Sequence, residues 1–122
     1  MATILVVEDD DNLRWCLKEI FNRTPYCALF AASGKEAVTL CGKLGGAIHL
    51  LIAEVAMPNM SGVKLAGILR ARYPSLAILF ISVYPATTLS EYDEVPPDRT
   101  FLQKPFLGQD LLVKVAEILR PS

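Results

Sequence analysis

The chain has 122 residues, 52% of them hydrophobic and 20% charged, with a net charge of −1 and a pI near 5.8. That length and balance fit one domain with one core and exclude a disordered chain. They also give no electrostatic footprint for nucleic acid or an anionic membrane surface.

The apolar pattern changes period along the chain. "TILVV" (Thr3–Val7) is a β-branched run bounded by acids and reads as a buried strand. In "DNLRWCLKEIFNR", Leu13, Cys16, Leu17, Ile20 and Phe21 share one helix face, with Asp11 or Asn12 as cap and Pro25 beyond the end. "YCALFAA" is a second strand. "SGKEAVTLCGKL" carries a capping box, Ser33 with Glu36, and Gly45–Gly46 stop that helix. "HLLIAE" is the third strand, and the loop "VAMPNMSG" follows it. Ser61 then caps a helix to about Tyr73, with Leu65, Ala66 and Leu69 inward and Pro74 as terminator. "LAILFIS" (Leu76–Ser82) is the fourth strand and the most apolar. The prolines Pro85, Pro96 and Pro97 bracket at most a short helix around Thr88–Tyr92. "TFLQ" is a fifth strand. "DLLVKVAEIL" closes the chain with Leu111, Leu112, Val115, Ile118 and Leu119 on one face.

Near-continuous apolar strands alternating with helices imply a parallel sheet covered on both faces. No stretch approaches the ~18 apolar residues of a membrane span. The N-terminus lacks a signal-peptide core, so the expected location is the cytoplasm. Met1 directly before the first strand reads as a true N-terminus. The cysteines Cys16, Cys27 and Cys41 are widely spaced and form no CxxC, so buried reduced thiols are expected rather than a disulfide or a zinc site.

In such a sheet, ligands bind beyond the carboxyl ends of the strands, near the switch in strand order. The first strand delivers Glu8, Asp9 and Asp10 there, and the third delivers Glu54. The fourth ends in Ser82, and Lys104–Pro105 follow the fifth. Clustered carboxylates call for a cation, and Mg2+ needs only one or two of them beside its waters. A lysine can neutralise a phosphoryl group and a hydroxyl can donate to it. The set therefore suits metal-assisted phosphoryl chemistry. Asp10 and Asp11 read as solvated loop residues and caps. No phosphate loop, GxGxxG or GxSxG pattern is present, and His49 has no plausible triad.

"ILVVEDD", "LLIAEVAMPNMSG", "ILFISVYP" and "FLQKPF" resemble, in order and spacing, the four landmark segments of the receiver domain of two-component response regulators. The resemblance covers essentially all of residues 1–122. It implies a three-layer α/β/α sandwich, a flavodoxin-like five-stranded parallel sheet of order 2-1-3-4-5 flanked by five helices. It also implies a metal-binding acid pair at Glu8 and Asp9, the phosphoacceptor position at Glu54, and a metal-binding backbone carbonyl at Ala56. Ser82 and Phe101 fall on the switch pair and Lys104 on the phosphoryl-binding lysine. Lys104–Pro105 is often a cis bond in relatives. The implied cofactor is Mg2+. The implied partners are a sensor histidine kinase or a histidine phosphotransfer protein, with homodimerisation through the face of the fourth helix, fifth strand and last helix. Neither nucleic acid nor membrane is an expected direct partner.

Two departures bear on activity. Glu54 stands where the family has aspartate, and its carboxylate reaches roughly 1.3–1.5 Å farther. Misplacement of ~1 Å can cost ~100-fold in an in-line reaction. Val83 is bulkier than the small residue usual at the gate beside the acceptor. A poor or absent phosphoacceptor is expected, with Glu54 paired to Lys104 as a weak mimic of the modified state and Mg2+ binding weakened. Leu107 also replaces a polar cap, which weakens the start of the last helix. The alternatives are a phosphorylation-independent pseudo-receiver and, more remotely, an Mg2+-dependent phosphohydrolase.

Overall fold

The computed structural model describes residues 1–85 and 100–120. Five strands form one parallel sheet: β1 (Thr3–Val7), β2 (Cys27–Ala31), β3 (Leu50–Glu54), β4 (Ala77–Ser82) and β5 (Phe101–Gln103). Their order is β2-β1-β3-β4-β5, which is the expected 2-1-3-4-5. Four helices are described: α1 (Asp11–Asn22), α2 (Gly34–Lys43), α3 (Gly62–Arg72) and α4 (Gly108–Leu119). The expected short helix at 88–92 lies outside the described residues.

Alternation along the strands divides the core in two. Leu5, Val7, Leu51 and Ala53 point into a cluster with Ala37 and Cys41 of α2 and Leu65 and Leu69 of α3. Ile4, Val6, Leu50 and Ile52 point the other way, to Leu17 and Phe21 of α1 and Leu111 and Val115 of α4. Central strands covered on both sides explain their unbroken apolar runs. Fully burying each of the Val, Leu, Ile and Phe side chains stabilises the fold by about 1.5–3 kcal/mol.

The helix starts follow local chemistry. Asp10, in extended backbone, caps α1 by accepting from the amides of Asn12 and Leu13, so the cap lies one residue before Asp11 and two before Asn12. Ser33 accepts from the Glu36 amide, and Glu36 accepts in turn from the Ala32 amide. Ser61 accepts from the Lys64 amide. Leu107 offers α4 no side-chain acceptor; Asp110 accepts from the Leu107 amide instead. After α2 the backbone turns left-handed at Gly45 and Gly46. A Cβ on Gly46 would overlap the Tyr73 ring.

The expectation of three buried thiols is corrected. Cys41 is buried, but Cys16 and Cys27 are exposed. Cys27 begins an edge strand, and Cys16 sits at the rim of the α1 apolar face, where only Leu17 and Phe21 are fully buried. His49 is structural: its Nδ1 accepts from the Thr3 amide.

Candidate functional site

The strand order reverses between β1 and β3, and the register puts their ends side by side. Val7 pairs with Ala53, so Glu8 and Glu54 emerge next to each other. Ser82 pairs with Gln103, and the Lys104 amide donates to the Ser82 carbonyl at 2.7 Å. The Lys104–Pro105 peptide is cis. The sheet alone therefore gathers Glu8, Glu54, Ser82 and Lys104 at one end.

All four are withdrawn from solvent. Glu8, Glu54 and Ser82 are buried, and the Lys104 side chain is 16% exposed. The Lys104 ammonium donates to Glu8 Oε1 at 2.8 Å and makes an ion pair with Glu54 Oε2. Glu8 Oε2 accepts from the Asp10 amide, and Glu54 Oε1 accepts from the Ala56 amide. Arg14 ties the loop after β1, donating to the Glu8 carbonyl at 2.9 Å and pairing with Asp11 at 2.5 Å.

Burial pushes the Glu8 carboxyl above its ordinary range, against the opposing pull of Lys104 and the Asp10 amide. For Lys104, burial alone would lower the ammonium. The hydrogen bonds and charges of Glu54 and Glu8 together outweigh it, and the group is raised. Both directions describe one tight cluster of two acids and one base.

The neighbouring residues divide. Ser82 Oγ accepts from the Tyr84 amide at 3.1 Å. Phe101 is buried against Val55, with Val63 and Phe80 beside them. Val83 is exposed, as are Tyr84 and Leu107. Asp9 is exposed.

Mg2+ needs only one or two carboxylates beside its waters, so its fit here turns on how Glu8 and Glu54 are already engaged, with Glu54 Oε2 buried and without a hydrogen bond. Lys104 already fills the cation's place against both glutamates. At Ala56 the group engaged with the site is the amide, which donates to Glu54.

One positioning residue escaped sequence reasoning. The Gly62 amide donates to the Val55 carbonyl at 2.9 Å, and a Cβ on Gly62 would stand 2.2 Å from the Glu54 carbonyl oxygen. A glycine opening a helix just after a strand-end acid was the available signal. Elsewhere, a groove of about 510 Å3 runs between α1 and β2, lined by residues that include Trp15, Lys18, Tyr26 and Phe30. It contains none of the strand-end residues.

Comparison with known proteins adds family context. The family model described as the response regulator receiver domain matches residues 4–116. Over 120 residues the chain is 34% identical to the sensor kinase CckA of Brucella abortus, covering 97% of this chain but 12% of that protein. It is 29% identical to the response regulator receiver protein CpdR of the same organism, covering 98% of each. Among solved structures, the response regulator protein TrrA of Thermotoga maritima, in complex with Mg2+ and BeF, is 30% identical. The match has a TM-score of 0.82 and covers 98% of this chain and all of that one (100%).

Proposed function

The chain belongs to the response regulator receiver domain family, and on that premise we propose that it is a single receiver domain whose signalling pocket is held by Glu54 in place of a phosphoryl group. Receiver domains are signalling modules, and they generally bind Mg2+. In this reading Glu54 occupies the acceptor position, Ser82 and Phe101 are the switch pair, and Lys104 is the group that an acyl phosphate would otherwise draw in.

The carrying observation is the contact of the Lys104 ammonium with both Glu54 and Glu8. In an ordinary receiver the phosphoryl oxygens attract this lysine and the switch hydroxyl, and the aromatic side chain follows. Here Glu54 reaches Lys104 unaided and Phe101 is already buried, while the buried Ser82 hydroxyl is taken by the Tyr84 amide. One carboxylate carries less charge and fewer acceptor oxygens than a phosphoryl group, so the bias toward the switched state is weaker and permanent. Likeness to CckA and CpdR supports a place in two-component signalling. Its partners are then a sensor histidine kinase or a histidine phosphotransfer protein, bound without phosphoryl uptake.

The test is incubation with a small phosphodonor and Mg2+, followed by intact mass. An unchanged mass is expected. Gain of one phosphoryl group, lost on Glu54→Gln, would overturn the reading.

A further inference from the structure

Glu8 and Glu54 end adjacent strands and share one ammonium group from a third. Lys104 reaches both, donating to Glu8 Oε1 at 2.8 Å and pairing with Glu54 Oε2. The two acids and the lysine therefore act as one set.

Three of their four oxygens accept hydrogen bonds, and the fourth, Glu54 Oε2, is buried without one and faces the Lys104 ammonium as an ion pair. Lys104 takes Glu8 Oε1 and Glu54 Oε2. The Asp10 amide takes Glu8 Oε2, and the Ala56 amide takes Glu54 Oε1. Mg2+ demands a near-octahedral oxygen shell and gives up its waters reluctantly. To enter, it would have to strip these donors and then sit beside an ammonium group in a site of low dielectric.

We infer that Lys104 is the resident cation of this pocket, bridging two glutamates long enough to meet it, and that the pocket takes up no Mg2+. This rests on the proposed function and adds ion independence to it: the switch residues keep their places whatever the divalent ion level.

The test is calorimetric titration of Mg2+ into the full chain, with NaCl of matched ionic strength as blank and thermal melts alongside. The wild-type chain is expected to give no saturable heat and no rise in Tm at millimolar Mg2+. Glu54→Asp retracts one carboxylate from Lys104 and is expected to gain saturable binding. Its Tm should rise by about 5–10 °C at a hundredfold excess over Kd. Lys104→Met frees both acids and gives the same gain by a second route if the first variant folds poorly. Saturable millimolar binding by the wild-type chain overturns the inference, and so does a lack of gain in both variants. Wild-type binding without phosphoryl uptake overturns this inference alone, whereas phosphoryl uptake overturns the proposed function.

Discussion

Replacing Lys104 with methionine probes what the lysine does for stability. The change keeps most of the side-chain volume and removes the only cation paired with the Glu8 and Glu54 carboxylates among the described residues. Two carboxylates, 1% and 5% exposed, are then left facing each other. Removing one partner of a buried ion pair costs about 3–5 kcal/mol, because the other charge stays buried and uncompensated. Lys104 keeps some contact with solvent, so the lower end applies, ~3 kcal/mol at neutral pH. For a domain of this size that is a fall in Tm of roughly 10 °C. Burial already holds the Glu8 carboxyl above its ordinary range, so that unpaired acid takes up its proton as the pH falls and the deficit shrinks. Urea denaturation at about pH 7.5 and about pH 5 measures both effects. The triple variant Glu8→Gln, Glu54→Gln, Lys104→Met carries no buried charge here and should recover most of the loss. A loss below ~1 kcal/mol at neutral pH, the value of a surface pair, would refute the reasoning. A deficit independent of pH would refute it too.

Glu8→Gln tests the pH dependence. The Glu8 carboxyl is raised above 4.5 in the fold, so the folded chain holds that proton more tightly than the unfolded one. Relative to Glu8→Gln, the wild-type chain should therefore lose stability as the pH climbs from 4.5 through the raised value; paired melts with a constant difference would contradict this. Gly62→Ala places a Cβ 2.2 Å from the Glu54 carbonyl oxygen, and should cost about 1–3 kcal/mol in denaturation while shifting the Glu54 and Ala56 amide resonances. Leu107→Asn supplies the missing acceptor at the start of α4, and should stabilise the chain by ~1 kcal/mol in thermal melts. With iodoacetamide under native conditions, intact mass should show rapid adducts at the exposed Cys16 and Cys27, while Cys41, buried and with its thiol pushed up by that burial, should react only on unfolding.

The fold was legible where pattern and physics coincide. Apolar runs such as Thr3–Val7 and Leu50–Glu54 are central strands, and their alternate residues fill the two halves of the core. Legibility failed where only tertiary position decides. Asp10, Asp11 and Asn12 are all competent caps, and the extended backbone at Asp10 selects among them. Cys27 reads as apolar by its spacing, yet it opens β2, which the order 2-1-3-4-5 leaves at the sheet edge. At the site, the strand-end rule located Glu8, Glu54, Ser82 and Lys104 without any coordinates. It could not tell that Glu8 turns inward while Asp9 turns to solvent. Nor could it tell that the Ala56 amide serves Glu54, or that β3 and the start of α3 approach closely enough to need Gly62. Those depend on register and loop path.

The central claim is that Glu54 holds Lys104 in the pocket without a phosphoryl group, leaving the switch residues unmoved by its arrival. Its most direct test is a set of amide spectra of the wild-type chain before and after Mg2+ with beryllofluoride, the additions present in the Thermotoga maritima TrrA complex. The account predicts that the amide resonances of Ser82, Phe101 and Lys104 stay where they are. Saturable shifts of those three resonances in the wild-type chain would contradict it.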